Sequence, residues 1–255
     1  GSLVAKVSDG TNTVSSSYSV NIVDLSITVT STVGGTITIQ NLTKGTSVVA
    51  QNNDTKILKA INGDNIKVNV SNNNGFETYS LKKDDKDISN NYTETLGLQD
   101  YTIKATFNMK YQPYSIETHL KEGFNLAFND EVSSYLGEVV QLWSPGGRYY
   151  LQIKEVTNGK IYYGIQNYYF NNIYIQVRNT TAVTAGSQCT VYTWIDGETD
   201  FLWYLEAAGN DYYYIVNKTG YCMEVSSGIG ANSEKIYVNN CNYSNKQKWK
   251  FVEAS

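Results

Sequence analysis

Residues 221–251 read YCMEVSSGIGANSEKIYVNNCNYSNKQKWKF, and this stretch sets how the rest of the chain is understood. Two short apolar segments, CMEV at 222 and KIYVN at 235, flank a turn rich in Ser, Gly and Asn. A Gln-x-Trp triplet closes the stretch at 247–249, and Cys222 and Cys241 are two of only three cysteines in the chain.

The same succession occurs twice more upstream. PYSIET at 113, YYGIQN at 162 and YYYIVN at 212 recur at intervals of about fifty residues. Each is followed by a second segment: NLAF at 125, YIQV at 174 and CMEV at 222. A third follows as VVQLW at 139, TVYTW at 190 and KIYVN at 235, and a fourth as YLQI, LWYL and KWKF. A four-strand unit of this length cannot bury its own apolar face, whereas three of them around a pseudo-threefold axis can. The spacing therefore predicts a β-trefoil over residues 111–255.

Composition places the start of that region. Of 22 tyrosines, 18 lie at or beyond Tyr111, as do all four tryptophans. Before the break the pattern is also β. LVAKVSDGTNTVSSSYSVNIV reads as two alternating strands around Asp9-Gly10, a hairpin signal. Further short strands follow, with Gly34-Gly35, Lys44-Gly45 and Asn62-Gly63 as turns. Regular short strands without a helical period predict a β-sandwich. The opening hairpin (1–24) resembles the closing hairpin of a bacterial immunoglobulin-like domain, and residues 25–110 resemble a complete small sandwich of that kind. A single sandwich over 3–110 is the alternative. The expected fold class is all-β: an immunoglobulin-like sandwich followed by a β-trefoil.

The segment CMEV…G…KIYVNNC…QKW resembles the ricin-type lectin repeat, and the resemblance covers residues 113–253. It implies a disulfide between Cys222 and Cys241. It also implies a shallow sugar pocket in each repeat, with an acid accepting from sugar hydroxyls, an aromatic stacking on the C–H face, and nearby amides. No repeat carries the whole set. In the first, Gln141 and Trp143 match, Ala127 stands at the acid position, and Asn129 or Asp130 substitutes from the loop beyond. In the second, Trp194 takes the stacking place, with Gln176 at the acid position and Asp196 nearby. In the third, Glu224 and Gln247 match, Asn239 replaces the aromatic, and Tyr237 or Tyr243 supplies a ring. Trp203, Trp249 and Leu151 fall at the structural position of the triplet and are expected in the core.

Other function classes find little support. The net charge is −4, and neither part offers a basic face for phosphates, so no nucleic-acid partner is expected. No apolar run is long enough to span a membrane, the Gly-Ser-Leu start lacks the features of a signal peptide, and Gly1 and Ser2 read as a cloning remnant. His119 is the single histidine and is expected to be structural; no metal site, cofactor or catalytic residue is expected. Asp84, Asp85 and Asp87 form a solvated hairpin tip, without the glycine and glutamate of a calcium loop. Cys189 is expected to be a buried apolar residue. The 18 Lys against two Arg, with abundant Asn, suit an AT-rich bacterial genome.

The functional expectation is non-catalytic carbohydrate binding on an immunoglobulin-like spacer. It concerns a monomeric piece of a longer secreted or cell-surface bacterial protein, recognising galactose-containing or mucin-type glycans. The rival expectation is an adhesion or scaffold module whose degenerate trefoil binds protein or no ligand.

Overall fold

The computed structural model describes residues 2–19, 22–130, 136–178 and 182–254. Val20 and Asn21, inside the stretch read as the second opening strand, lie outside the described residues. Among the described residues every regular element is a strand, apart from one 3-10 turn at Asn245–Gln247. The chain divides into two compact units. One holds residues 1–31, 36–71 and 80–105; the other holds 32–35, 72–79 and 106–255.

In the first unit, β1 (Ser2–Ser8) and β2 (Thr13–Ser19) form an antiparallel two-stranded sheet of their own. Asp9 organises the turn, its Oδ1 accepting the Thr11 and Asn12 amides at 2.9 and 2.6 Å. Register places Val7 opposite Val14. Period-2 alternation then puts Val7, Val14 and Tyr18 on one face. That face is uncovered: the three residues are 75%, 73% and 62% exposed.

The remaining strands of this part are β3 (Asp24–Ser31), β4 (Gly35–Asn41), β5 (Thr46–Gln51), β6 (Thr55–Ile61) and β7 (Asn65–Asn72). They continue with β8 (Phe76–Lys83), β9 (Lys86–Asp87), β10 (Thr93–Thr95) and β11 (Tyr101–Met109). Two sheets result, ordered β10-β7-β4-β5 and β6-β3-β11-β8-β9. Leu25, Ile27 and Val29 of β3 and Ile37 and Ile39 of β4 are buried at every second position, the pattern of sheets with one covered face. β11 joins β3 in parallel, with Ile103 opposite Val29. Asp84 and Asp85 make the tight turn between β8 and β9 at φ 44° and 65°. The Asp84 carboxylate accepts the Thr102 amide at 2.8 Å.

The second unit continues with β12 (Tyr114–Thr118), β13 (Asn125–Ala127), β14 (Gln141–Trp143), β15 (Tyr149–Thr157), β16 (Lys160–Asn167) and β17 (Ile173–Val177). Then come β18 (Ser187–Thr193), β19 (Trp203–Gly209), β20 (Tyr212–Asn217), β21 (Tyr221–Val225), β22 (Ile236–Asn240) and β23 (Lys248–Glu253). Six of these close into a barrel: β12 pairs β15, then β16, β19, β20, β23 and β12 again. The other strands form three hairpins, β13–β14, β17–β18 and β21–β22. These hairpins touch one another pairwise through Val139 and Thr190, Gln141 and Lys235, and Ser187 and Val238. A six-stranded barrel capped by three mutually paired hairpins is a β-trefoil-like arrangement.

Register corrects one equivalence expected from sequence. Trp203 sits opposite Tyr163 and Asn217, and Trp249 opposite Tyr213 and Thr118. The residue with the same two partners in the first repeat is Tyr149, opposite Tyr114 and Asn167. Leu151, the residue expected there, lies two positions farther along β15 and is buried too. Tyr149, Trp203 and Trp249 are all fully buried. The indole N–H of Trp203 donates to the Ile175 carbonyl and that of Trp249 to the Met223 carbonyl, each at 3.0 Å. Tyr149 has no donor in that place, and the matching carbonyl of Leu126 instead takes the Gly147 amide at 2.8 Å.

Cys222 and Cys241 are joined by a disulfide across 19 residues. Cys189 is a buried free thiol, its pKa pushed up by burial. Closing a loop of the size spanned by the disulfide is worth about 3 kcal/mol through the unfolded chain. A Cys222→Ala/Cys241→Ala variant is therefore expected to lose about that much in urea denaturation while keeping its β circular-dichroism signature.

Candidate functional site

The hairpin registers define three equivalent slots. On the first strand of each hairpin stand Ala127, Gln176 and Glu224, facing Gln141, Thr190 and Tyr237 across the ladder. Two residues farther along the second strand come Trp143, Tyr192 and Asn239. Two residues before the barrel aromatic stand Gly147, Phe201 and Gln247. The second-repeat counterpart of Trp143 is thus Tyr192, not Trp194, which lies just past the strand end.

The third slot is filled from within. Glu224 is 6% exposed, and its two oxygens accept from Asn239 Nδ2 at 3.0 Å and Gln247 Nε2 at 2.7 Å. The Lys246 ammonium lies 3.5 Å from the same carboxylate. Gln247 is fully buried. Its Oε1 accepts the Asn242 and Tyr243 amides at 3.0 and 3.1 Å, and its Nε2 also donates to the Asn240 carbonyl. With both ends of the amide engaged, Gln247 holds the loop leading into β23 and presents nothing to a ligand. Tyr237 is half-buried, and Tyr243 leans edge-on against Tyr214.

The second slot is filled differently. Phe201 is fully buried, and Trp194 packs against it and against Tyr174, with ring centroids 5.4 and 5.1 Å apart. The Lys154 ammonium sits 4.2 Å from the centre of the Trp194 ring and 4.7 Å from that of Tyr174, where a cation is attracted by the ring quadrupole. Burial lowers the Lys154 pKa, and the Asp196 charge works against that shift. Trp194 Nε1 donates to Asp196 Oδ1 at 2.7 Å, and Gln176 donates to the Thr190 hydroxyl at 3.2 Å. Trp194, Asp196 and Gln176 are thus committed to intramolecular partners.

The first slot is open. Ala127 and Gly147 replace the pair that is Glu224 and Gln247 in the third, and the smaller residues leave a cavity of about 710 Å³. Asn129, Asp130, Gln141 and Trp143 all line it, together with Tyr169 and Lys235. Trp143 is 41% exposed, so its ring is available at the surface. Tyr149 reaches the cavity from the barrel, and its buried hydroxyl has no hydrogen-bond partner. Burial, then the Asp130 charge, raises the pKa of that phenol, which keeps it protonated and able to donate. Gly146 is required here, and Gly147 leaves little room for a side chain. A Cβ on Gly146 would stand 2.6 Å from Asn125 Cβ, and one on Gly147 would stand 3.0 Å from the Tyr149 hydroxyl.

Of the residues expected from sequence, the first-repeat set is therefore brought together around open space, whereas Trp194 with Asp196, and Glu224 with Asn239 and Gln247, are bonded to one another, and Gln176 is bonded to Thr190. The contributions of Gly147, Tyr149, Tyr169 and Lys235 are not visible in the repeat pattern. The Pro-Gly-Gly run at 145–147 is the only local signal of a close backbone approach. His119 stands in the turn after β12, not in a strand, and packs edge-on against Tyr212. Among the described residues, no group of three or more His, Cys, Asp or Glu side chains is placed to hold a metal ion. No helix among them is long and apolar enough to cross a membrane.

Residues 139–239 match the family model described as ricin-type beta-trefoil lectin domain-like. A ricin-type β-trefoil lectin-like domain thus lies within the second unit. No curated protein matches the chain in sequence. Among solved structures, a mosquitocidal holotoxin superposes with a TM-score of 0.50 at 16% identity, over 66% of this chain and 19% of its own. The Rhizoctonia solani agglutinin gives 0.46 at 16% identity, over 58% of this chain and 98% of its own. A Polyporus squamosus lectin, bound to the epitope Neu5Aca2-6Galb1-4GlcNAc, gives 0.46 at 18% identity, over 57% of this chain and 50% of its own. At such identities the likeness concerns the fold alone.

The Glu224–Gln247 couple is open to a direct test. Gln247→Ala strips a buried carboxylate of one donor and frees two backbone amides, at a cost of about 2–4 kcal/mol. Thermal melting is expected to show a loss of several degrees. Gln176→Ala, which gives up a single neutral hydrogen bond, is expected to cost about 1 kcal/mol.

Proposed function

We propose that the second unit is a non-catalytic carbohydrate-binding module whose working site is the first-repeat cavity. The observation that carries this reading is the space left by Ala127 and Gly147 beside an available Trp143 ring. A sugar ring has a C–H face that stacks on an indole, and hydroxyls that must remain hydrogen-bonded once desolvated. Trp143 would supply the face, with Gln141, Asn129 and the Tyr149 hydroxyl as polar partners. Asp130, from the loop, would replace the acid that Ala127 omits. The match of residues 139–239 to the lectin family model supports this class of ligand. Neutral galactose-containing or mucin-type glycans are the probes of choice.

The first unit would act as an immunoglobulin-like spacer. Two sheets with buried alternate residues support that reading, as does the β1–β2 hairpin, whose uncovered apolar face suits the end of a further sandwich. The disulfide is consistent with an extracellular location, on a secreted or surface-bound bacterial protein. A second reading, a scaffold module that binds no sugar, is favoured by one observation: two of the three slots are filled by their own side chains.

A glycan array followed by calorimetry separates the two. Trp143→Ala is expected to weaken the best array hit at least about tenfold. Trp194→Ala should leave that affinity unchanged, because Lys154 already occupies the ring. A wild-type protein that binds no glycan would remove the sugar reading in favour of the scaffold.

A further inference from the structure

A ridge of tyrosines, three exposed and one half-buried, continues from the cavity. Tyr169, on its rim, meets Tyr168 edge-on at 4.9 Å between ring centroids. Tyr168 packs on Tyr150 at 5.5 Å, and Tyr150 stacks on Tyr111 at 4.7 Å with only 14° between planes. The two ends of the ridge are open, Tyr169 being 61% and Tyr111 66% exposed. The backbone carrying two of the rings is also held in place. Asn167 Oδ1 accepts the Tyr169 and Phe170 amides at 2.8 and 3.0 Å, and the Tyr168 amide donates to the Arg148 carbonyl at 2.9 Å.

Such a ridge costs little ordering entropy when something lies along it, because its rings are already fixed by one another and by the backbone. Its chemistry is specific in kind: aromatic surface edged by phenol hydroxyls, with no carboxylate or ammonium among the four side chains and with Tyr111 and Tyr150 each covering one face of the other. That combination matches a chain of neutral sugar rings, each with C–H faces and a rim of hydroxyls, better than a charged peptide or a phosphate backbone. Continuity with the cavity through Tyr169 makes the two surfaces one track.

We infer that the ligand is an extended neutral oligosaccharide, one terminal unit entering the cavity and the following units lying on the ridge formed by Tyr169, Tyr168, Tyr150 and Tyr111. This rests on the carbohydrate reading of the cavity. It adds that recognition is of a chain and that affinity is set by its length.

Calorimetry with galactose, lactose, lacto-N-neotetraose and a polylactosamine hexasaccharide tests this on the whole chain. For the wild type, binding should strengthen along the series by roughly three- to tenfold for each further sugar that stacks on a tyrosine. A Tyr111→Ser/Tyr168→Ser variant should bind lactose as the wild type does and bind the longer sugars no better than lactose. Equal wild-type constants for lactose and the longer sugars would overturn the ridge while sparing the cavity, and so would a double variant that keeps the length dependence. If no member of the series binds the wild type, the cavity reading falls and the ridge with it. Should the double variant fail to fold, Tyr111→Ser alone is to be used, since that ring lies at the outer end of the ridge; it should lose the hexasaccharide increment first.

Discussion

The second unit depends on the tie between barrel and cap. A barrel strand delivers a large aromatic residue to the interior three times, as Tyr149, Trp203 and Trp249. In two repeats the indole N–H also satisfies a carbonyl in the first strand of the adjoining hairpin. Apolar burial alone would leave those carbonyls without partners in a dry interior, which costs as much as a lost hydrogen bond. With the tie in place each hairpin is fixed over its own section of barrel, and the three hairpins can then pair with one another. Where the tryptophan is missing, the Gly147 amide takes over the carbonyl, and this substitution brings a side-chain-free residue to the wall of the slot.

The period of the trefoil is legible in the sequence because apolar segments recur with it, and the disulfide because the segment around its two cysteines resembles the ricin-type repeat, which implies that pairing. Finer placement is not. Leu151 stands out over Tyr149 because one tyrosine among so many carries little positional information, and only the cross-strand partners fix the register. Trp194 resembles a stacking ring because it closes an apolar segment, as Trp143 does; the strand ends one residue earlier, and Tyr192 holds the matching place. The open slot is the least visible feature, since it arises from what Ala127 and Gly147 lack. In the first unit the alternation announces strands, but the parallel pairing of β3 with β11 joins segments more than seventy residues apart and leaves no local mark.

The three slots illustrate how a repeated scaffold diverges without losing its frame. One is plugged by a carboxylate and an amide that bond each other, one by a phenylalanine under a tryptophan, and one is open. None of these changes touches the barrel ladder. The polar plug satisfies itself fully, as a buried network must if it is not to weaken the core. The aromatic plug is dry except at its rim, where Lys154 and Asp196 face water. On the proposed reading, valency would be set by a pair of side chains per repeat, and the frame tolerates either state.

The β1–β2 hairpin presents open strand edges to a partner. Among the described residues β1 and β2 pair only with each other, so each carries one unpaired edge, beside the exposed Val7 and Val14. A lone hairpin of this kind is marginally stable, and an unprotected edge is a template for any other strand of suitable pattern. Strands added at those edges would cover the Val7 and Val14 face as well as the free backbone groups.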